Sequence, residues 1–315
     1  MIQIVFKLLF FFGTPITFLS LIWLKLLRKK EIRGISENLF MYLGVLPVLD
    51  HYYQPLINPK KHLTKSLRDD RDLRGIDLNV EEQLNLLEKF NYNDELLTFP
   101  LNNQGNDFYY DNGSYCSGDA EYLYNMVRYF KPKRVLEVGC GNSTLMIRNA
   151  INKNRFDDSN YACHHICIEP YGQDWIEDMK IELIREKVEN IDKSLFKMLE
   201  SNDILFIDSS HIIRPQGDVL FECLEVLPIL KSGVLIHIHD IFTPKDYLND
   251  WVLKQHMLWN EQYLLEAFLS FNSEFRIIGS LNFLAHNYFK QFSEKCPVFA
   301  KQIGREPGAF WMIKK

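Results

Sequence analysis

A short motif near the middle of the chain has the residue types of a ligand-binding turn. It runs Glu137-Val-Gly-Cys-Gly141 and closes the apolar run that starts at Arg134. Two glycines let the backbone turn sharply and approach a ligand, and the free N–H groups of a following helix attract an anionic group. A dinucleotide fingerprint would have a third glycine where Thr144 stands. Glu137 instead offers a carboxylate, which suits a cationic ligand, whereas the alternative is an incidental tight turn.

A second acid, Glu169, follows the next apolar run, His165–Ile168. A carboxylate at the tip of such a strand can accept hydrogen bonds from both hydroxyls of a ribose. On its own Glu169 would be an ordinary surface acid. After the turn at Glu137 to Gly141, we predict that it is a ribose ligand.

Seven apolar runs would position these residues. The first five alternate with helical segments, which predicts right-handed crossovers and a mainly parallel sheet in an α/β fold. The last two would close the sheet as an antiparallel pair. The runs are Arg134–Val138, His165–Ile168, Ile181–Ile184, Ile204–Ile207, Val234–His239, Phe275–Ile278 and Ala309–Ile313. Helices are predicted over Asn79–Phe90 and Asp119–Phe130.

Over roughly residues 116 to 315 the chain resembles the class I S-adenosylmethionine (SAM)-dependent methyltransferases, through the glycine turn and Glu169. The resemblance implies a Rossmann-like methyltransferase fold with a mainly parallel seven-stranded sheet, and SAM as the cofactor. The carboxylate of Glu137 is expected near the methionine end of SAM. Glu189 falls where such enzymes contact adenine. The full set of expected cofactor contacts is Glu137, Gly139, Cys140, Gly141, Asn142, Ser143, Glu169, Glu189 and Asp208.

Two further acids follow the fourth and fifth strands, which are neighbours in the strand order of this family. Asp208 and Asp240 are therefore expected side by side, about 4.8 Å apart. Carboxylates that close repel each other unless a proton or a cation separates them, and a hard divalent ion such as Mg²⁺ suits them. We predict Asp208, Asp240 and His239 as metal ligands. His211, three residues after Asp208, is the predicted base that takes the proton of a substrate hydroxyl.

With an acid at both strand ends and Asp-x-x-His at the first, the chain resembles the metal-dependent sugar O-methyltransferases. The same motif is similar to that of the cephalosporin hydroxylase-like family. A structural alternative remains for Asp240, which could cap the next helix. His237 and His239 share one strand face, so one could be a ligand and the other a core histidine.

The segment Cys163-Ala-His-His-Ile-Cys167 contains residue types that bind zinc. No second ligand pair stands at zinc-site spacing, and the segment overlaps a buried strand that places His165 and Cys167 on one face. Buried, reduced cysteines are therefore the favoured interpretation.

Aromatic residues on two segments could lie near the site. Tyr109, Tyr110 and Tyr115 occupy a turn-rich stretch before the domain and are predicted as a lid over the strand ends. Trp259 and Tyr263 share one helix face, a spacing more typical of packing.

The N-terminal segment is too apolar for a soluble domain. Leu8–Leu24 is seventeen residues without a charge, roughly 25 Å as a helix, and is apolar on every side. No small-residue cleavage site follows, which favours a membrane anchor over a removed signal peptide. Gly13-Thr14-Pro15 leaves a kinked span or a shallow hairpin open, with a buried soluble helix as the third interpretation. The basic residues that follow predict a cytoplasmic catalytic domain: Lys25, Arg28, Lys29, Lys30 and Arg33.

Overall composition limits the partners. Thirty-six basic against forty-one acidic residues leave a net charge of −5. A protein that binds the phosphate backbone of a nucleic acid usually carries an excess of clustered basic residues, so nucleic acid is not an expected partner.

The sequence thus predicts a membrane anchor (1–30), a helical and lid region (31–115) and a methyltransferase domain (116–315). The predicted activity is O-methylation of a hydroxyl on a sugar, a lipid-linked glycan or a secondary metabolite, by a membrane-associated protein whose homo-oligomeric state is open. The alternatives are a metal-dependent hydroxylase-like enzyme on the same fold and a non-catalytic membrane scaffold.

Overall fold

The computed structural model describes residues 2–29, 35–51, 53–105, 107–171, 174–177, 179 and 181–315. Lys30 and Arg33 of the predicted basic cluster lie outside these ranges. The chain divides into two compact units. The first comprises Met1–Ser66 and Asp250–Leu258, and the second comprises Leu67–Asn249 and Trp259–Lys315.

The first unit is helical. It contains α1 (Ile2–Lys29), α2 (Ile35–Leu43), α3 (Pro59–His62) and a π-helical turn, Asp250–Gln255. The stretch Phe10–Leu27 of α1 has a mean hydropathy of 1.7 and none of it is buried, so this helix is long and apolar enough to cross a membrane.

Helix α1 continues without a break through Gly13, Thr14 and Pro15. The hydroxyls of Thr14 and Thr17 donate hydrogen bonds to the carbonyls of Phe10 (2.9 Å) and Gly13 (3.1 Å). An unbroken helix is the form of a single span, whereas a hairpin would need a break at this point.

The second unit is built on a seven-stranded sheet. Its strands are β1 (Arg134–Val138), β2 (His164–Ile168), β3 (Glu182–Ile184), β4 (Ile204–Ile207), β5 (Leu235–Ile238), β6 (Phe275–Ser280) and β7 (Phe310–Lys314). The order is β3-β2-β1-β4-β5-β7-β6. Strands β1 to β5 are parallel, and β7 runs antiparallel to both β5 and β6. The predicted α/β class, the mainly parallel sheet and the antiparallel closing pair are confirmed.

The register of the parallel strands brings the predicted site residues to one edge. Val138 of β1 is level with Ile168 of β2 and Ile207 of β4. Ile207 is in turn level with Ile238 of β5. The residues that follow these four strand ends are Gly139, Glu169, Asp208 and His239.

Helices cover both faces of this sheet. They are α4 (Val80–Lys89), α5 (Asn93–Leu96), α6 (Asp119–Phe130), α7 (Asn142–Asp157), α8 (Ser194–Lys197), α9 (Asp218–Phe221), α10 (Glu261–Leu269), α11 (Leu281–Asn287) and α12 (Phe289–Lys295). The structure also has 3₁₀ turns at Asp174–Ile176, Val188–Asn190, Leu227–Ile229 and Phe299–Lys301, and a π-helical turn at Glu222–Val226.

Strand β1 shows how the sheet separates two apolar cores. Val135 belongs to the core that also contains Phe90 and Trp311, whereas Leu136 and Val138 belong to the core on the opposite face. Buried parallel strands are apolar on both sides, which explains their continuous apolar runs. Residues before 116, such as Phe90, pack in the same core as the strands, and the predicted boundary at residue 116 stays a prediction.

Candidate active site

The turn after β1 needs glycine at its first position. Gly139 has a φ of +79°, and a Cβ built there would collide with the backbone carbonyl oxygen of Asp208. Only glycine tolerates both the conformation and this close approach. The turn is thereby held against the end of β4.

Glu169 ties the turn to the end of β2. Its Oε2 accepts a hydrogen bond from the backbone N–H of Cys140 (3.2 Å), and its Oε1 accepts one from that of Tyr171 (2.7 Å). The half-buried carboxylate still has lone pairs that ligand hydroxyls could use.

Two cavities meet at these strand ends. One has a volume of about 420 Å³ and the other of about 310 Å³. Gly139, Glu169 and Asp208 line both. The larger cavity is lined also by Cys140, Gly141, Asn142 and Ser143, and the smaller one by Val188 and Glu189. Of the predicted cofactor contacts, all but Glu137 line at least one of the two.

Glu137 lies behind the turn, which differs from the expected position beside the cofactor. It is fully buried, its Oε1 accepts a hydrogen bond from the Ser143 hydroxyl (2.6 Å), and its Oε2 lies 3.0 Å from His165 Nε2. Cys167, level with Glu137 in the neighbouring strand, approaches the same oxygen at 3.3 Å. Strand alternation turns this side chain under the start of α7, so Glu137 supports the cavity from behind, beside its lining residues Ser143 and Cys140.

Asp208, His211, His239 and Asp240 form one cluster at the ends of β4 and β5. His211 Nε2 lies 3.3 Å from Asp208 Oδ1 and 3.5 Å from Asp240 Oδ2. His239 Nδ1 lies 3.4 Å from Asp208 Oδ2 and 3.7 Å from Asp240 Oδ2. We name these four residues the carboxylate–histidine cluster. Asp208 also lines both cavities, so the cluster borders the space beside the glycine turn.

The charges of the cluster stabilise one another. Burial alone would raise the pKa of Asp208, but the positive charge of His239 and the hydrogen bonds from both histidines hold that pKa well below its usual range. Burial would lower the pKa values of His211 and His239, and the adjacent carboxylates raise both well above the ordinary value. Positive charge is therefore favoured between the two acids.

A divalent cation would fit the same donor set. Ligand atoms of Asp208, His211 and Asp240 all lie within 4.8 Å of one another. Two carboxylates and imidazole nitrogens are ligands that divalent ions accept in proteins. His211 belongs to this set with the two predicted ligands Asp208 and Asp240, whereas His239, the third predicted ligand, approaches the two carboxylates through Nδ1 at 3.4 and 3.7 Å.

Asp240 does not cap a helix. After β5 the next helical turn begins only at Asp250, and the Asp240 carboxylate points into the carboxylate–histidine cluster. Asp240 has a φ of +57° and His211 a φ of +60°. Strained conformations of non-glycine residues are retained mostly at functional sites, because surrounding contacts must over-determine them.

The two histidines of β5 have separate environments. His237 is fully buried, stacks on Phe206 with ring centroids 4.0 Å apart, and has its Nε2 3.4 Å from the Tyr115 hydroxyl. Burial, and then the neighbouring charge of His239, lower the pKa of His237 well below its ordinary value. His237 is therefore a neutral core histidine, and His239 is the one in the cluster.

Comparison with known proteins agrees with this arrangement. A family model described as a methyltransferase domain matches residues 136–241, from β1 to the turn after β5. An uncharacterized protein of Archaeoglobus fulgidus is 30% identical over 182 residues, which cover 54% of this chain and 80% of the relative. The chain belongs to the class I SAM-dependent methyltransferase family.

Two solved methyltransferases share general features with the chain. An O-methyltransferase from Bacillus cereus in complex with S-adenosylhomocysteine (SAH) is 9% identical with a TM-score of 0.34, covering 82% of this chain and 94% of its own. A putative protein-L-isoaspartate O-methyltransferase from Plasmodium falciparum in complex with SAH is 11% identical with a TM-score of 0.26. That match covers 37% of this chain and only 56% of the Plasmodium chain. With TM-scores this low, neither likeness carries an argument about the site.

Two more residues contact His211, of which the sequence did not indicate Glu261 and favoured packing for Trp259. Glu261, at the start of α10, places its Oε2 2.9 Å from His211 Nδ1. Trp259, expected to serve packing, has its ring centroid 4.4 Å from that of His211. Trp259 lies before α10, so the prediction that it shares a helix face with Tyr263 is wrong, and the fold brings both residues to His211 from some fifty positions away.

The predicted lid tyrosines divide between cavity and core. Tyr109 and Tyr115 line the larger cavity. Tyr110 is fully buried, and its hydroxyl donates a hydrogen bond to the carbonyl of Leu96 (3.0 Å). Tyr115 is only 2% exposed and belongs to the same core as Tyr110, so of the three tyrosines only the half-buried Tyr109 has the position expected of a lid.

Proposed function

We propose that the chain is a membrane-associated SAM-dependent O-methyltransferase that acts on a substrate hydroxyl with the help of a divalent cation. The position of the carboxylate–histidine cluster carries this proposal. Asp208 belongs both to that cluster and to the cavities around the glycine turn, so a bound cofactor and a bound hydroxyl would meet at this residue.

The cavities offer the groups that SAM needs. Glu169 would accept hydrogen bonds from the ribose hydroxyls, and Val188 and Glu189 would flank the adenine. The free N–H groups at the start of α7, near Asn142 and Ser143, would attract the methionine carboxylate. When bound, SAM supplies a methyl group whose carbon–sulfur bond breaks as the substrate oxygen attacks.

The carboxylate–histidine cluster would prepare the hydroxyl for this transfer. Asp208, Asp240 and His239 would hold the cation, which lowers the pKa of a bound hydroxyl and orients it. The charge of the cation would replace the positive charge that the two acids favour on His211, so His211 could be neutral and take the hydroxyl proton at Nε2. Fixed placement of the two reacting atoms contributes much of the rate in such a displacement.

The first unit supports an acceptor near a membrane. Its helix α1 exposes Phe11, Phe12, Phe18 and Leu19 within the uncharged run Leu8–Leu24. Lys25 follows this stretch, and basic residues favour the cytoplasmic side. We infer that the second unit works at the cytoplasmic face, on a sugar, a lipid-linked glycan or an apolar metabolite that carries a hydroxyl.

The test is transfer of labelled methyl groups. The full chain in detergent is incubated with methyl-labelled SAM and a membrane extract, with Mg²⁺ or with a chelator. We expect a labelled O-methyl product that disappears with the chelator and in Asp208→Asn, and that persists in Glu274→Gln, an exposed acid bonded to Lys314. Unchanged methyl transfer by Asp208→Asn, or in the presence of the chelator, would contradict the proposed role of the cation. No labelled product under any condition would favour the non-catalytic scaffold.

A further inference from the structure

A buried carboxylate from α10 reaches the back of the proposed base. Glu261 is 1% exposed and His211 is 6% exposed, and Glu261 Oε2 lies 2.9 Å from His211 Nδ1. The other ring nitrogen of His211 faces Asp208 and Asp240. The imidazole therefore lies between one acid behind it and two acids in front.

We propose that Glu261 is a positioning residue for methyl transfer, holding the His211 ring so that Nε2 faces the Asp208–Asp240 pair. The proposal rests on the role of His211 as the base in the proposed function. A histidine that donates its Nδ1–H to a carboxylate has a fixed ring orientation and keeps Nε2 available for the substrate side.

The start of α10 also holds the backbone of His211. The N–H groups of Asn260 and Glu261 donate to the His211 carbonyl at 3.1 and 3.2 Å. Trp259 packs against the imidazole at an interplanar angle of 36°. These contacts fix where the ring is attached and which face is covered, and Glu261 holds the Nδ1 side of the ring opposite the two acids at Nε2.

A second buried acid, Glu222, lies near Glu261. Glu222 is 1% exposed, and its Oε2 accepts a hydrogen bond from the Ser209 hydroxyl (2.9 Å). Burial, and then the nearby Glu261 carboxylate, raise the pKa of Glu222 well above its ordinary value.

A purely structural ion pair explains these facts less well. Burying a charged pair costs desolvation energy, and apolar residues of similar volume often stabilise a core as well or better. Two acids stacked behind one histidine, which itself has a strained φ of +60°, make a costly arrangement for packing alone.

Nitrogen NMR of the full chain in detergent tests the geometry without needing the acceptor. With ¹⁵N-labelled histidine, His211 is assigned by the loss of its signals in His211→Ala. We expect a protonated Nδ1 in the wild type and altered His211 signals in Glu261→Ala. Glu266→Gln, a carboxylate on the same helix that bonds to Arg71 and Thr243, is expected to leave them unchanged.

Methyl transfer to the membrane extract tests the functional consequence. We expect the maximal rate to fall about 10- to 100-fold in Glu261→Ala, with the KM for SAM unchanged. Glu261→Gln keeps the shape and an acceptor oxygen, so it should fold normally and show an intermediate loss. In a His211→Ala background, Glu261→Ala should cause no further loss, because a positioning residue acts only through the group it positions.

Three results would overturn the proposal: unmoved His211 signals in Glu261→Ala, the same rate loss in Glu266→Gln, or a further loss on the His211→Ala background. If the wild type transfers no methyl group but the His211 signals respond to Glu261, the ring contact stands and the proposed function fails.

Discussion

Glu121 and Glu169 are both glutamates close to a helix or strand end, yet their surroundings give them different roles. Glu121 is fully buried and accepts backbone hydrogen bonds from Gly118 (3.0 Å), Val298 (2.7 Å) and Phe299 (2.9 Å). Burial raises the pKa of Glu121 to about 7, against the opposite effect of these N–H groups. Glu169 has two such partners but lines both cavities, where a ligand can reach it.

Glu121 should make stability depend on pH. The folded carboxyl keeps its proton up to about pH 7, whereas in the unfolded chain its pKa is the ordinary 4.5. Its contribution to stability is therefore complete below pH 4.5 and is lost as the pH rises through 7, a change on the order of 3 kcal/mol at most. Between about pH 5 and about pH 8, the wild type should lose more unfolding free energy in urea than Glu121→Gln. Parallel pH profiles for the two proteins would contradict this account.

Single residues differ in how far the sequence could predict them. Asp208 and His239 follow strand ends at the same level, so the parallel register brings them together, whereas Asp240 is one residue further on and joins them with a φ of +57°. The position of Glu137 depends on the sheet face to which strand alternation turns its side chain, where it meets His165 of β2. Glu261 has no local signal, since only the packing of α10 places it beside His211.

The strands were predictable because they are continuous apolar runs bounded by turns. Strands β1 and β4 have the predicted bounds, and β2, β3, β5 and β7 differ from prediction by one residue at one or both ends. Strand β6 continues to Ser280, beyond the predicted end, across a register shift between Ile277 and Gly279. Such an irregularity depends on cross-strand pairing, which apolar patterning does not record.

Any side chain at the first position of the turn between β1 and α7 should destabilise that turn. In Gly139→Ala the new Cβ would meet the Asp208 carbonyl oxygen and the residue would keep a φ of +79°, so the turn and the end of β4 must separate. We expect a lower thermal unfolding midpoint and a loss of SAH binding. In Gly141→Ala no atom lies within 4 Å of the new Cβ, so its unfolding midpoint should stay near that of the wild type. Equal midpoints for the two variants would contradict the close approach at Gly139.

The chain as a whole combines an apolar helical unit with a methyltransferase unit. The sequence predicted the apolar helix because a run without charges is visible in composition alone. It did not predict that residues 67–115 share a compact unit with the sheet, since their contacts, such as Phe90 with Tyr122 at 5.2 Å between ring centroids, are long-range.

Charges placed on α1 should release the protein from membranes. Phe12→Arg combined with Leu19→Arg puts two charges on the exposed apolar stretch, at a cost of about 2.5 to 3.5 kcal/mol each near the centre of a span. We expect the wild type to sediment with membranes after a high-salt wash and the double variant to lose this association. Phe156→Arg, at an aromatic residue of the second unit that is 84% exposed, is the control and should sediment like the wild type. A double variant that still sediments with membranes would contradict the anchor.

Calorimetric titration of the full chain with SAH tests most directly whether the strand-end cavities bind the cofactor. We expect one binding site per chain in the wild type. Glu169→Ala removes the carboxylate that would accept hydrogen bonds from the ribose hydroxyls. We expect it to weaken SAH binding by about 10- to 100-fold, which corresponds to the usual free energy of hydrogen bonds to a charged group. The absence of binding heat at about millimolar SAH, or equal affinity in Glu169→Ala, would contradict the assignment of this site.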